Sequence, residues 1–187
     1  MYYQIIDIKE ESIGVVWRFS ENKLLIERIF LPCLPDQLIL KIKKECNSIN
    51  IIERSLPGGI AERISGLYAG QKVNFDYSLL NFAKLSKFSV KVLKQTGKIP
   101  RGKATTYAGL AQKIGSPQAA RAVGTVLANN PFPLVIPCHR VVRADGSLGG
   151  FGGGIKMKQE LLAKEGVVLD SKGRVAVNVF HQAEACF

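Results

Sequence analysis

The stretch Thr105-Thr106-Tyr107-Ala108-Gly109-Leu110-Ala111-Gln112-Lys113-Ile114-Gly115-Ser116-Pro117-Gln118-Ala119-Ala120-Arg121-Ala122-Val123-Gly124-Thr125-Val126-Leu127 reads as two short helices and the turn between them. Thr105 or Thr106 is placed to cap a first helix through Tyr107, Leu110, Ala111 and Ile114, which Gly115 terminates. Ser116 is placed to cap a second helix, with Pro117 at its first position, running through Ala119, Ala120, Arg121, Ala122, Val123, Gly124, Val126 and Leu127. Two helices joined by a three-residue turn containing glycine predict a helix-turn-helix. Its second helix is unusual. Ala119, Ala120, Ala122 and Gly124 cannot form the bidentate hydrogen bonds by which side chains read bases, and Arg121 is almost its only long donor. Two readings stand. In one, small residues let the helix backbone approach a duplex closely, and phosphate contacts give affinity blind to sequence. In the other, the pair is an ordinary helical hairpin whose alanines pack inside.

Charge favours the first reading. No acidic residue occurs between Asp76 and Asp145, yet that interval holds Lys84, Lys87, Lys91, Lys94, Lys98, Arg101, Lys103, Lys113, Arg121, Arg140 and Arg143. These 11 cations equal the whole net charge of +11, so the rest of the chain is neutral. Such segregation favours a polyanion, most simply nucleic acid, as partner of the middle of the chain. A helix over 83–96 is predicted just upstream, with Lys84, Lys87, Lys91 and Lys94 in one quadrant and Leu85, Phe88 and Val92 on another face. Gly97 ends it, and Ile99-Pro100-Arg101-Gly102 reads as a turn. A lysine stripe is by itself only a solvated face.

Downstream comes Pro137-Cys138-His139-Arg140, with Arg143 close behind: a thiol beside an imidazole and a guanidinium. Thiolate is the nucleophilic form, and nearby positive charge lowers a thiol pKa, so chemistry is expected here. Prolines in Asn129-Asn130-Pro131-Phe132-Pro133 fix the approach, and the glycines of Gly149-Gly150-Phe151-Gly152-Gly153-Gly154 let backbone pass close to a ligand. Leu134-Val135-Ile136 and Val141-Val142 read as buried extended segments. Alternation along a strand would aim Cys138 and His139 to opposite sides, so contact between them needs an irregular backbone or a bridging water. Taken alone, the tetrapeptide also fits a buried cysteine in a core strand.

Residues 1–82 read as a small α/β domain without a catalytic constellation. Three strands, Tyr2 to Ile8, Ser12 to Phe19 and Leu24 to Phe30, are separated by polar turns and suggest an antiparallel meander. Asp36 is placed to cap a helix to about Asn47 that buries Leu38, Ile39, Ile42 and Cys46; Ile49 to Ile52 adds a strand, and Gly59 to Ala69 a short helix. Residues 83–166 form the mostly helical domain that carries the motifs above. Its last helix, Ile155 to Lys164, ends at Glu165-Gly166. Residues 167–187 read as a hairpin or tail, with Val167-Val168-Leu169, a turn at Asp170-Ser171-Lys172-Gly173 and Val175-Ala176-Val177; His181 is expected to be exposed and idle.

Composition sets the outer bounds. The 187 residues suffice for a proper core. No run of about 18 apolar residues occurs and no leader pattern opens the chain, so a cytoplasmic protein with no membrane partner is expected. Cys33, Cys46, Cys138 and Cys186 form no CxxC pair, and only two histidines are present, so neither a disulfide framework nor a zinc site is indicated.

Together these residues resemble the O6-alkylguanine-DNA alkyltransferase family of direct-reversal DNA repair proteins. The matching elements are Ile99-Pro100-x-Gly102, Thr106-Tyr107, Ala119-Ala120-Arg121-Ala122-Val123-Gly124, Asn130-Pro131, Ile136-Pro137-Cys138-His139-Arg140-Val141-Val142, the glycine-rich loop, and Leu161-Leu162 before Glu165-Gly166. They cover about residues 85 to 166. The resemblance implies a ribonuclease H-like N-terminal domain followed by the helix-turn-helix domain. It implies Cys138 as acceptor of an alkyl group from O6 of guanine, His139 as the base that deprotonates it through a water, and Glu165 as the residue holding His139. Each molecule would react once, without cofactor. Arg121 would fill the space left by a flipped base while Tyr107 rotates the nucleotide and hydrogen-bonds the departing guanine. Asn130 would brace the turn before the cysteine. Ser116, Ala119, Ala120 and Gly124 would meet the DNA; Pro133, Val141, Phe151, Gly152 and Lys158 would surround the guanine. The implied partner is double-stranded DNA containing O6-alkylguanine, bound by a monomer largely without regard to sequence. Phe151 stands where many members have tyrosine, which keeps a stacking face and removes a hydroxyl. The N-terminal zinc site of some members needs cysteines and histidines that this chain lacks, so no metal is expected. Three other readings fit less well: a non-catalytic lesion-flagging relative, which would carry another residue, typically tryptophan, in place of Cys138; a helix-turn-helix regulator, which would need more base-reading side chains; and a cysteine hydrolase, which would turn over repeatedly and leave the basic interval unexplained.

Overall fold

A computed structural model describes residues 1–46 and 51–176 in two compact units. The first takes in residues 1–68, 72–84 and 131–135. Its meander is β1 (Tyr2–Ile8), β2 (Glu11–Ser20) and β3 (Lys23–Cys33), paired antiparallel through Ile8↔Glu11 and Ser20↔Lys23 at the two turns. Glu21 and Asn22 both take positive φ, the backbone that a two-residue turn needs to match the twist of its strands. Helix α1 (Pro35–Cys46) buries Leu38 and Ile42 against Val16 and Phe30. The helix starts at Pro35, so Asp36 falls in its first turn and does not cap it. A short β4 (Ile52–Glu53) pairs with the free edge of β1 in parallel, which makes the expected antiparallel sheet a mixed one of order β3-β2-β1-β4. Helix α2 (Ile60–Tyr68) follows. The predicted helix end at Asn47 and the start of the fourth strand at Ile49 lie outside the described residues, as do Val177, His181 and Cys186.

The second unit takes in residues 69–71, 85–130 and, among the described residues, 136–176. Helix α3 (Lys87–Gly97) is capped by Ser86, whose hydroxyl accepts from Ser89 N at 3.1 Å. It therefore starts four residues later than expected, and Lys84 belongs to the first unit, 3.7 Å from Glu27. Thr106 caps α4 (Tyr107–Lys113) by accepting from Gly109 N at 2.9 Å. Thr105–Thr106 also forms β5, parallel to β6 (Val141–Val142), so one dipeptide anchors the helix start to the chain just beyond the cysteine. Helix α5 (Ala120–Ala128) has no side-chain cap. Ser116 instead opens a turn closed by Ala119 N donating to Ser116 O at 2.9 Å. The connection from α4 is thus 114–119, longer than the three residues expected. Helix α6 (Gly154–Lys164) is followed by an antiparallel bridge between Leu169 and Val175. Ala104, Val142, Leu148, Leu162, Val167 and Val175 form the apolar cluster beneath these elements.

Candidate active site

Cys138 does not lie on a strand. Pro131, Pro133 and Pro137 cannot donate to a sheet ladder, and the buried Leu134 takes a positive φ of 71°, a left-handed conformation that costs a non-glycine residue about 1–2 kcal/mol. The run expected to be extended is a set of turns, ending in a 3-10 turn over Cys138–Arg140. The backbone is irregular here, so the alternation of side chains along a strand does not apply to Cys138 and His139. Cys138, His139 and Arg140 are all buried, and Arg140 N closes the turn on Pro137 O at 3.0 Å.

Glu165 gathers the two residues after the cysteine. As the C-terminal cap of α6 it lies 26 positions from His139, yet its Oε1 is 3.0 Å from His139 Nε2. Arg140 grips the same carboxylate with both ends of its fork, Nε to Oε2 at 2.8 Å and Nη2 to Oε1 at 2.7 Å. Burial alone would raise the Glu165 pKa; hydrogen bonds from His139 and Arg140 overcome it and hold the group at about 2. An ionised carboxylate only accepts, so the proton in the shared bond sits on His139 Nε2. Burial holds His139 below the usual imidazole range, against the pull of Glu165, so the ring is neutral near pH 7. Its Nδ1 is then a buried acceptor, and it has no hydrogen-bond partner among the described residues.

The thiol has a separate set of neighbours. Burial pushes Cys138 up, while a hydrogen bond from the Asn130 side chain and the charge of Lys158 pull it down. Burial wins, and the resting group is a thiol. Asn130 also donates to Ile136 O at 3.0 Å, which ties the start of the turn to its end. Lys158, from α6, is fully buried and donates to Val141 O at 2.6 Å. Burial lowers its pKa to about 8, so the amine remains largely charged at neutral pH and favours a thiolate nearby.

A cavity of about 350 Å³ opens on the sulfur, lined by Tyr107, Gly124, Leu127, Ala128, Cys138, Gly150, Phe151 and Gly152. The volume falls in the range of small-molecule pockets. Burial, then the adjacent Cys138, raises the Tyr107 pKa, so its hydroxyl keeps its proton. Gly149, at φ 68°, would put any Cβ 3.1 Å from the Tyr107 oxygen, so a side chain here would strain the backbone and push the tyrosine hydroxyl aside. The Phe151 ring stands edge-on to His139 with centroids 6.4 Å apart.

The structure thus brings together Cys138, Asn130 and Lys158 on one side and His139 and Glu165 on the other, with Tyr107, Gly124, Phe151 and Gly152 around the opening. Val141 contributes its carbonyl to Lys158. Arg121 is exposed on the first turn of α5, with Ala120 half-buried beside it and Ser116 and Ala119 in the preceding turn. Pro133 is buried in the 131–135 segment that groups with the first unit. Sequence reasoning passed over Leu127, Ala128 and the paired hydrogen bonds from Arg140 to Glu165. The first two were readable, since they follow Gly124 by three and four positions on one helix face. Among the described residues, no cluster of metal-ligating side chains occurs, and no helix is long and apolar enough to cross a membrane.

A family model described as the DNA binding domain of 6-O-methylguanine DNA methyltransferase matches residues 87–167. A methylated-DNA-protein-cysteine methyltransferase from Methanothermobacter thermautotrophicus is 45% identical over 164 residues, covering 86% of this chain and 83% of that protein. One from Shigella flexneri is 36% identical over 159 residues, 84% of this chain and 92% of the relative. The crystal structure of Mycobacterium tuberculosis OGT in complex with DNA superposes with a TM-score of 0.68 at 29% identity, covering 88% of this chain and 92% of that one.

Proposed function

Because this chain belongs to the methylated-DNA-protein-cysteine methyltransferase family, we propose that it repairs DNA by moving an alkyl group from O6 of guanine to Cys138, once per molecule. The observation that carries this reading is the site's division of labour: a buried thiol opening on a cavity, beside an imidazole whose free Nδ1 is defined by an ionised carboxylate. Cys138 gives its proton through a bridging water to His139 Nδ1, and the imidazolium that forms is stabilised by Glu165. The thiolate sulfur attacks the alkyl carbon; an S–C bond forms as the O6–C bond breaks, the guanine anion that leaves takes a proton from water, and the imidazolium of His139 returns its extra proton to water, so the thiol proton balances the one guanine gains. Tyr107, with its hydroxyl protonated, hydrogen-bonds the departing base. The product is a thioether, which no group in the site can cleave, so the protein is consumed. Lys158 and Asn130 favour the sulfur anion during the step. Attack at saturated carbon requires neither an oxyanion hole nor a cofactor.

The base must leave the stack to reach the cavity. Helices α4 and α5 act as a helix-turn-helix that presents the duplex, with Arg121 entering the space of the flipped nucleotide and Ser116, Ala119, Ala120 and Gly124 allowing close approach. Basic flanks supply affinity without sequence choice. The protein acts as a monomer in the cytoplasm. The test is stoichiometric: excess duplex DNA bearing O6-methylguanine should have one guanine restored per protein molecule, and Cys138→Ser should restore none. Restoration by the serine variant would sink the reading.

A further inference from the structure

The relay carboxylate has backbone support that its role does not explain. Arg101, the variable third residue of Ile99-Pro100-Arg101-Gly102, spends its guanidinium on two main-chain carbonyls from distant parts of the second unit. Its Nε donates to Gly70 O at 2.6 Å and its Nη2 to Lys164 O at 2.8 Å. The Lys164 carbonyl and the Glu165 amide belong to one planar peptide unit. That unit is held at its other end, where Glu165 N donates to Leu161 O and Leu162 O, both at 3.1 Å. Gly70 packs against the same carbonyl so closely that a Cβ there would lie 2.6 Å from Lys164 O, and its φ of 78° already favours glycine.

The turn also reaches Glu165 from its side-chain end. Arg140, which grips the carboxylate, donates its remaining Nη1 to Ile99 O at 2.6 Å. Ile99 directly precedes the turn that carries Arg101, which Lys103 N closes on Pro100 O at 3.1 Å. The path from the Glu165 carboxylate through Arg140, Ile99, Arg101 and Lys164 back to the Glu165 backbone is therefore a closed ring, made of hydrogen bonds to the two arginines and of the main chain from Ile99 to Arg101 and from Lys164 to Glu165. A cation at the end of α6 also suits the helix dipole. We infer that Arg101 is a positioning residue for the relay: by holding the Lys164 carbonyl it closes the ring that fixes where Glu165 meets His139. The inference rests on the proposed alkyl transfer for its kinetic consequence, and on geometry alone for its structural one.

A competing role is plain, because Arg101 lies at the surface within the basic interval and could serve a DNA phosphate. The two roles differ in what lysine can replace. A phosphate needs a positive charge, whereas two carbonyls in different directions need the planar fork. Arg101→Ala and Arg101→Lys should each slow reaction with free O6-benzylguanine and with O6-methylguanine in duplex DNA by the same factor, about ten- to a hundredfold, leaving affinity for undamaged duplex within about twofold of wild type for the lysine variant. Loss confined to the duplex substrate, with rescue by lysine, would overturn the inference in favour of a phosphate contact. A second measurement does not depend on alkyl transfer. In Cys138→Ser protein, the His139 Nε2 proton bonded to Glu165 should give a downfield NMR resonance in slow exchange with water. Adding Arg101→Ala should move it upfield and speed its exchange. An unchanged resonance would overturn the inference, whereas wild-type protein inert to both substrates would overturn the alkyl-transfer reading and leave the NMR result to stand by itself.

Discussion

Glu165 is the residue on which the site's electrostatics turn. Its pKa of about 2, against an ordinary 4.5, makes it a stabilising group whose contribution is complete above pH 4.5 and disappears as the pH falls through 2. The shift corresponds to roughly 3 kcal/mol, of which about 2 kcal/mol is gone by pH 3. Glu165→Gln should flatten that part of the stability curve in denaturant unfolding. It should also cost about 3–5 kcal/mol at neutral pH, because Arg140 would be left buried without a counter-charge. A variant with wild-type stability at both pH 7 and pH 3 would show that the carboxylate is not ionised as described. The variant should lose alkyl transfer too, since a glutamine carbonyl orients the ring but cannot stabilise the imidazolium.

At the scale of elements, the helices were readable because their caps and breakers are local signals. Gly97, Thr106 and Gly115 punctuate the basic segment, and apolar periodicity set the buried faces; the cap at Ser86 was missed, which put the start of α3 four residues early. The errors came where tertiary pairing decided. Ser116-Pro117 has the composition of a helix start, but the chain closed a turn there first and α5 began at Ala120 without a side-chain cap. Leu134-Val135-Ile136 has the composition of a strand, but the flanking prolines deny it a ladder. The ring through Arg101 had no sequence signal, because it is closed on backbone carbonyls, of Ile99 from Arg140 and of Lys164 from Arg101. The exposed position of Arg121 on the first turn of α5 leads to a kinetic expectation. Arg121→Ala should slow repair in duplex DNA much more than reaction with free O6-benzylguanine, measured as second-order rates on the two substrates. Equal losses would remove Arg121 from base flipping.

At the scale of the molecule, the structure redistributes the charge that composition only counted. Arg140 is neutralised inside by Glu165, and Lys84 sits with Glu27 in the first unit. Lys87, Lys91, Lys98, Lys103, Arg121 and Arg143 remain exposed in the second unit. Affinity for undamaged duplex should therefore fall at least about tenfold between roughly 50 and 200 mM salt, and should hardly differ between unrelated sequences of equal length. Strong sequence preference in a gel-shift or anisotropy titration would count against the small-residue character of α5 as the reason for blind binding. The central claim concerns one bond, between the sulfur of Cys138 and a carbon that began on guanine. It is tested most directly by incubating the protein with duplex DNA bearing O6-methylguanine, digesting it, and locating any added methyl group by peptide mass analysis. The prediction is one methyl group per molecule, on Cys138, with reaction stopping at one equivalent; methyl on another residue, or guanine restored beyond one equivalent with Cys138 unmodified, would contradict it.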